Sequence, residues 1–354
     1  MKIFRGLHHP GMASGCALTR AAAPAGRALT IGNFDGVHRG HQAMLALLKS
    51  EAAHRGVPSC VMTFEPHPRD YFAAALNKPD LAPPRIATFR DKLCELAACG
   101  IDQCIVLPFN QALASQPPQA FIDDVLVAGL GVRYVLVGDD FRFGARRAGD
   151  YALLDAAGVA QGFDVARMQA YEVHGLRVSS TAVRAALAEG RLQDAAALLG
   201  RPYSISGHVV HGRKLGRALA ESAPGAGDGF RTLNLRFSRR AHAWNPAASG
   251  IFVVEVHGLG DAPLPGVANL GVRPSLDPND VNGGRVLLET HVLDWPTHLG
   301  PEGAYGKIIR VDLLQKLHDE LRYHSLAALT EGIARDCVDA RDWLATRAHA
   351  STRI

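Results

Sequence analysis

Residues 30–48 read TIGNFDGVHRGHQAMLALL. An apolar run ends at Ile31, and three glycines follow, Gly32, Gly36 and Gly40, together with His38 and His41. Met44, Leu45, Leu47 and Leu48 then fall at helical spacing. Strand, glycine turn and helix in that order predict a unit of an open α/β sheet, where ligands bind beyond the carboxyl ends of the strands. A helix start offers unpaired backbone N–H groups and the positive end of the helix dipole, which suits phosphate. His38 and His41 lie three apart and so share one face of a turn or nascent helix. An imidazole beside phosphate is driven towards its charged form, and two of them can stabilise charge building on a pyrophosphate leaving group. The stretch matches neither the G-x-x-x-x-G-K-S/T phosphate loop nor the G-x-G-x-x-G dinucleotide fingerprint.

The alternation continues outward. SCVMTF, QCIVLPF, YVLVGDDF and FDVARMQAY read as strands, and HQAMLALLKSEAAHRG, TFRDKLCELAACG, PPQAFIDDVLVAGLG, Tyr151–Gln161 and SSTAVRAALAEG as helices. That order predicts a parallel sheet with crossover helices. Near Gly200 the pattern changes. SISGHVVH, TLNLRF, GIFVVEV, GVANLGV, VLLETHVLD and KIIRVDLL follow one another without helices, as in a small antiparallel barrel, and SLAALTEGIARDCVDARDWLATR reads as a closing amphipathic helix. Residues 1–200 and 201–354 are therefore expected to form two domains. Residues 11–27, rich in Ala and Gly without periodicity, are expected to be a loose surface segment.

Composition narrows the function classes. The chain has 354 residues, 47% hydrophobic and 20% charged, enough for substantial cores. A net charge of +4, with no basic block interleaved with aromatics, argues against a nucleic-acid partner. No apolar run reaches the ~18 residues of a membrane span, and MKIFRGLHHPGMASG lacks the long apolar stretch of a signal peptide. The expectation is a cytoplasmic protein with neither a membrane nor a nucleic-acid partner. The six cysteines form no C-x-x-C pair or zinc spacing and are expected to be buried small hydrophobes.

The H-R-G-H string resembles the H-x-G-H signature of the nucleotidylyltransferase superfamily. The longer GNFDGVHRGHQ resembles something narrower, the adenylyltransferase module of bacterial bifunctional riboflavin kinase/FAD synthetases. VMTFEPHP (61–68), VGDDFRFG (137–144) and SSTAVRAAL (179–187) resemble later motifs of that family in the same order. The resemblance implies a Rossmann-like domain that transfers AMP from ATP to the phosphate of FMN, giving FAD and pyrophosphate by in-line displacement. It places His38 and His41 on the ATP phosphates and Gly32, Asn33, Phe34, Asp35 and Gly36 at the nucleotide pocket. Ser180, Thr181 and Arg184 would form a second phosphate-binding element. Asp139, Phe141 and Phe143, with Pro66 and His67, would lie on the flavin side.

The C-terminal half carries a different constellation. HGRKLGRAL (211–219) is a basic loop containing Gly212, Lys214 and Gly216. Thr232 and Asn234 alternate, so both point to one face of a strand. A hydroxyl and an amide oxygen make a corner for Mg²⁺ when ATP phosphates and waters supply the rest. Glu289 lies amid apolar residues, where a carboxylate is costly without a partner or a task. These features resemble the riboflavin kinase module, a small barrel. The resemblance implies that Thr232 and Asn234 bind magnesium and ATP, and that Glu289 takes the proton from the ribityl 5′-hydroxyl as it attacks the γ-phosphate. Riboflavin, FMN, FAD and ATP are then the implied partners, with ATP the co-substrate of both steps. One departure stands out. Ala220–Gly229 replaces a single glycine of the family pattern and Arg231 stands where proline is expected, so a flexible ATP loop and a kinase weak for ATP are expected. Two other readings remain open on the residues: a nucleotidylyltransferase with another phosphate acceptor, and a flavin- or nucleotide-binding regulator.

Overall fold

The computed structural model describes residues 1–7, 26–173, 175–211, 232–237, 245–271, 286–300 and 302–351. The chain divides into two compact units, Met1–Pro83 with Lys92–Ser179, and Pro84–Asp91 with Ser180–Ile354.

The first unit is built on six parallel strands: β1 (Lys2–Arg5), β2 (Arg27–Ile31), β3 (Ser59–Glu65), β4 (Gln103–Pro108), β5 (Val132–Gly138) and β6 (Asp164–Met168). Their order is β1-β4-β3-β2-β5-β6. Strands covered on both faces read as continuous apolar runs, and every residue of β2 is buried, Arg27 included, contrary to its expected place in a loose surface segment; residues 11–25 of that segment lie outside the described residues. The helices α1 (Arg39–His54), α2 (Pro68–Ala75), α3 (Phe89–Ala98) and α4 (Tyr151–Gln161) lie in the connections. Leu45 and Leu48 of α1 are fully buried, each contributing roughly 1.5–3 kcal/mol of transfer free energy. The core joins Leu29, Met62, Ile105 and Val135 of four neighbouring strands. From β2 the chain proceeds through β3 to β4 on one side, while β5 and β6 lie on the other. In open α/β sheets ligands bind at such a reversal, beyond the carboxyl ends of the strands, here those of β2 and β5.

The stretch PPQAFIDDVLVAGLG departs from regular α-helix. One α turn, Pro118–Ala120, leads into a wider π-helical segment, Phe121–Gly129. A Cβ on Gly129 would lie 2.9 Å from the Asp124 carbonyl, so the absence of a side chain there permits the wider turn.

In the second unit, α5 (Ser180–Ala188) and α6 (Leu192–Leu199) precede β9 (Tyr203–Val210); two short strands, β7 (Glu172–Val173) and β8 (Leu176–Arg177), end the first. Strands β10 (Thr232–Arg236), β11 (Gly250–His257), β12 (Leu264–Gly271), β13 (Leu287–Val292) and β14 (Ile308–His318) close with β9 into an antiparallel barrel, in the order β10-β13-β12-β11-β14-β9. Burial alternates along β9 and β13, as a barrel with a filled interior requires. Ile205, Leu235, Phe252, Leu288 and Val311 fill the interior. The last helix, α7 (Leu326–Ser351), packs Cys337 and Ala340 on Val253 and Val267 outside the barrel.

Among the described residues no helix is long and apolar enough to cross a membrane. Cys60, Cys104 and Cys337 are buried and free. Burial pushes the Cys104 and Cys337 thiols up to about 11, leaving them protonated and inert. Cys94 is exposed and Cys99 half-exposed, contrary to the expected burial of all six, because both lie beyond the core-facing stripe of α3; Cys16 lies outside the described residues.

Candidate active sites

The turn between β2 and α1 is compact and strained. Gly36 adopts φ +84°, and two side-chain-bearing residues share the left-handed region, Phe34 at φ +50° and Val37 at φ +40°. Such backbone costs on the order of 1–3 kcal/mol per residue and persists only where the surroundings over-determine it. Here they do. Phe34, Asp35 and Val37 are buried, Gln42 Nε2 donates to the Val37 carbonyl at 2.9 Å, and the Gly32 N–H donates to the Met62 carbonyl at 3.1 Å. The Asn33 carbonyl accepts from Thr63 Oγ1 at 3.3 Å and from Lys92 Nζ at 3.4 Å, while the Asn33 side chain faces solvent.

His38 caps α1. Its Nδ1 accepts the His41 backbone N–H at 3.3 Å, so in the neutral ring the proton sits on Nε2. The two imidazoles stack with centroids 3.7 Å apart and planes 14° apart, and Phe34 tilts against His41 at 5.0 Å. Nδ1 of His41 is buried without a hydrogen-bond partner among the described residues. Burial, then the neighbouring His38, hold the His41 pKa well below its ordinary 6.5. The sequence-based expectation of charged imidazoles therefore needs an anion: the protein alone keeps His41 neutral.

Beyond β3, His67 is buried and caps α2, its Nδ1 accepting the Arg69 N–H at 3.1 Å, and Pro66 precedes it. The structure adds an aromatic group here that the motifs did not signal. Phe72, 46% exposed, lies edge-on to Tyr71 at 5.4 Å and to Phe109 at 5.7 Å. Beyond β5, Asp139 pairs with Arg177 at 3.2 Å. Phe141 stacks on Phe143 at 5.4 Å, and Phe143 is buried against Phe121. Ser180, Thr181 and Arg184 occupy α5 of the second unit, where Arg184 Nε donates to the Pro84 carbonyl at 2.7 Å.

On the barrel, Asn234 of β10 pairs opposite Glu289 of β13, and Glu289 pairs opposite Asn269 of β12. Directly opposite residues share a face with Cβ atoms ~4.5–5.5 Å apart, so the three polar side chains form a row across three strands. Thr232 stands two residues before Asn234 on that same face, while Leu233, Leu235 and Leu288 point into the barrel. Asn234 is 4% exposed, and its Nδ2 lies 3.5 Å from the Thr232 carbonyl. Asn269, absent from the sequence-based candidates, holds a buried Oδ1 without a hydrogen-bond partner among the described residues. Gly212, Lys214, Gly216, the segment Ala220–Gly229 and Arg231 lie outside the described residues.

Comparison with known proteins gives two family matches. The FAD synthetase model matches residues 20–182 and the riboflavin kinase model residues 199–344. A bifunctional riboflavin kinase/FMN adenylyltransferase of Escherichia coli is 44% identical over 97% of this chain and 98% of its own. Proteins of that description from Pseudomonas fluorescens, 44% identical over 90% of this chain and 94% of theirs, and Haemophilus influenzae, 37% over 96% and 98%, are also similar. A solved structure titled a macrolide-efflux protein, from Streptococcus pneumoniae, shares the fold with a TM-score of 0.69, at 24% identity over 91% of this chain and 96% of that one.

Proposed function

The chain belongs to the bifunctional riboflavin kinase/FMN adenylyltransferase family, and we propose that His38 and His41 serve its adenylyl transfer while Thr232, Asn234 and Glu289 serve its phosphorylation. The enzyme phosphorylates riboflavin to FMN with ATP and adenylylates FMN with a second ATP, yielding FAD and pyrophosphate. Matches to both halves displace the readings with another phosphate acceptor or as a regulator. We assign residues 1–200 to adenylyl transfer and 201–354 to the kinase, with both reactions in the cytoplasm.

For adenylyl transfer, an oxygen of the FMN phosphate attacks the α-phosphorus of ATP while the bond to the bridging oxygen of the β-phosphate breaks. No covalent enzyme intermediate is invoked, so the protein contributes positioning and charge stabilisation. The observation that carries this assignment is the stacked His38–His41 pair at the start of α1, directly after the central strand β2. The tautomer of His38 makes Nε2 a donor. His41, neutral in the protein alone, gains proton affinity as negative charge builds beside it, so its stabilisation grows along the reaction. Gly32, Asn33, Phe34, Asp35 and Gly36 shape the nucleotide turn, and Ser180, Thr181 and Arg184 are assigned to phosphate on the motif alone. Pro66, His67, Asp139, Phe141 and Phe143 are assigned to the flavin side. The exposed face of Phe72 suits a planar ring there.

For phosphorylation, Glu289 is assigned as the base that takes the proton of the ribityl 5′-hydroxyl, with Gly212, Lys214 and Gly216 on the ATP phosphates. The Thr232 hydroxyl and the Asn234 amide are hard oxygen donors on one face, and Asn234 Nδ2 is directed to the Thr232 carbonyl, leaving its Oδ1 for a cation. This donor set fits Mg²⁺, which takes few protein oxygens and completes its shell with phosphates and water. When bound, magnesium offsets phosphate charge.

Purified protein with riboflavin, ATP and Mg²⁺, sampled over time, tests the reading: FMN appears first and FAD follows. ADP formation without FAD would contradict the adenylyl-transfer assignment.

A further inference from the structure

A buried ammonium group lies under the nucleotide turn. Lys92, in the first turns of α3, is 2% exposed. Its Nζ reaches the Asn33 carbonyl at 3.4 Å and Thr63 Oγ1 at 3.2 Å, and the Thr63 hydroxyl donates to that same carbonyl at 3.3 Å. The directions agree: an ammonium only donates, and a hydroxyl accepts from it while donating onward. Thr63 is fully buried at the end of β3, so both groups approach Asn33 from inside the domain, with the Asn33 side chain facing solvent.

Taking an ammonium out of water is costly unless its hydrogen bonds are made. Those of Lys92 reach the turn directly at Asn33 and through Thr63. Asn33 lies between Gly32 and the left-handed Phe34, where the chain turns towards His38. Anchoring the Asn33 carbonyl fixes the orientation of the peptide planes on either side.

We propose that Lys92 is a positioning residue for adenylyl transfer, holding the Asn33 carbonyl with Thr63 so that the β2–α1 turn keeps the geometry in which it receives the ATP phosphates. Lys92 does not touch substrate; it acts through Asn33. The inference rests on the assignment of this turn to ATP.

The test compares Lys92→Met with Lys92→Gln in the full chain, beside His41→Ala. Methionine fills the space without a donor, whereas glutamine returns a neutral donor within reach of the carbonyl. Misplacement by about an ångström can cost on the order of 10²-fold in rate. Lys92→Met is expected to lose kcat/KM for FAD formation by about that factor, with a raised KM for ATP and the KM for FMN within about twofold. Lys92→Gln recovers at least a tenth of the wild-type kcat/KM, and this recovery is read against the Tm of both variants. FMN formation, the internal measure of folding, stays within about twofold of wild type in both. Equal activity of the two variants, or losses that follow Tm rather than the donor, overturns the proposal. Should Lys92→Met not fold, Thr63→Val is read instead: a loss of about tenfold confined to FAD formation supports the clamp, and wild-type kinetics overturn it. Normal FAD formation in His41→Ala would show that the site assignment itself has failed. Impairment there, with normal Lys92 variants, rejects only the inference about Lys92.

Discussion

His38 and His41 stack at 3.7 Å while Nδ1 of His38 accepts the backbone N–H of His41, so one residue both caps α1 and packs its ring on the other. The cap fixes which nitrogen of His38 carries the proton. The stack holds His41 against Phe34, in surroundings that disfavour its charged form.

Replacing His41 by alanine should lower FAD formation from FMN by on the order of 10²–10³, the usual loss for one preorganised charge-stabilising donor. FMN formation from riboflavin should be unchanged, as measured in the same preparation.

His41 also makes stability depend on pH. Its folded pKa lies below 6.5, so below that value the unfolded chain binds a proton that the folded chain refuses. The contribution is complete above the unfolded pKa and falls as pH drops through it. Urea midpoints at about pH 7.5 and about pH 5.5 should differ less in His41→Gln than in wild type. An equal or larger difference in the variant contradicts the neutral state of the half-buried His41.

Gly36 carries φ +84° between Asp35 and Val37, both buried. An alanine there should cost about 1–2 kcal/mol from the left-handed backbone alone. Thermal unfolding should show the lowered Tm, and, if the β2–α1 turn receives ATP as proposed, FAD formation should fall further than FMN formation.

The local sequence signals explain what was legible in advance. A strand buried on both faces, such as Ala28–Ile31, announces itself as an apolar run, and the period-two burial of β13 is visible in VLLETHV. The histidine turn was readable because all its parts lie within a dozen residues. Elements fixed by tertiary context were not. Strand β1 buries only Phe4 of four residues and owes its conformation to pairing with β4. Helix α2 begins at a proline and is capped by the histidine before it, which in the sequence reads as a stiff turn. Lys92, in RDKLCEL, has the pattern of a solvated helix face, and only the fold places it beneath Asn33. Asn269 reads as an ordinary strand residue until the register sets it opposite Glu289.

Glu289→Gln should lower FMN formation by on the order of 10²–10⁴, the contribution of a positioned base. Shape and burial are nearly kept, so FAD formation from supplied FMN should persist.

One chain performs two reactions, and two separate sets of residues are proposed to carry them, His38 with His41 and Thr232, Asn234 with Glu289. The most direct measurement is a paired assay of His41→Ala and Glu289→Gln, each given riboflavin with ATP and Mg²⁺, and separately FMN with ATP and Mg²⁺, with FMN and FAD resolved over time. With separate sites, His41→Ala accumulates FMN and makes little FAD from either substrate, while Glu289→Gln makes FAD from FMN but little from riboflavin. Parallel loss of both activities in either folded variant would contradict it.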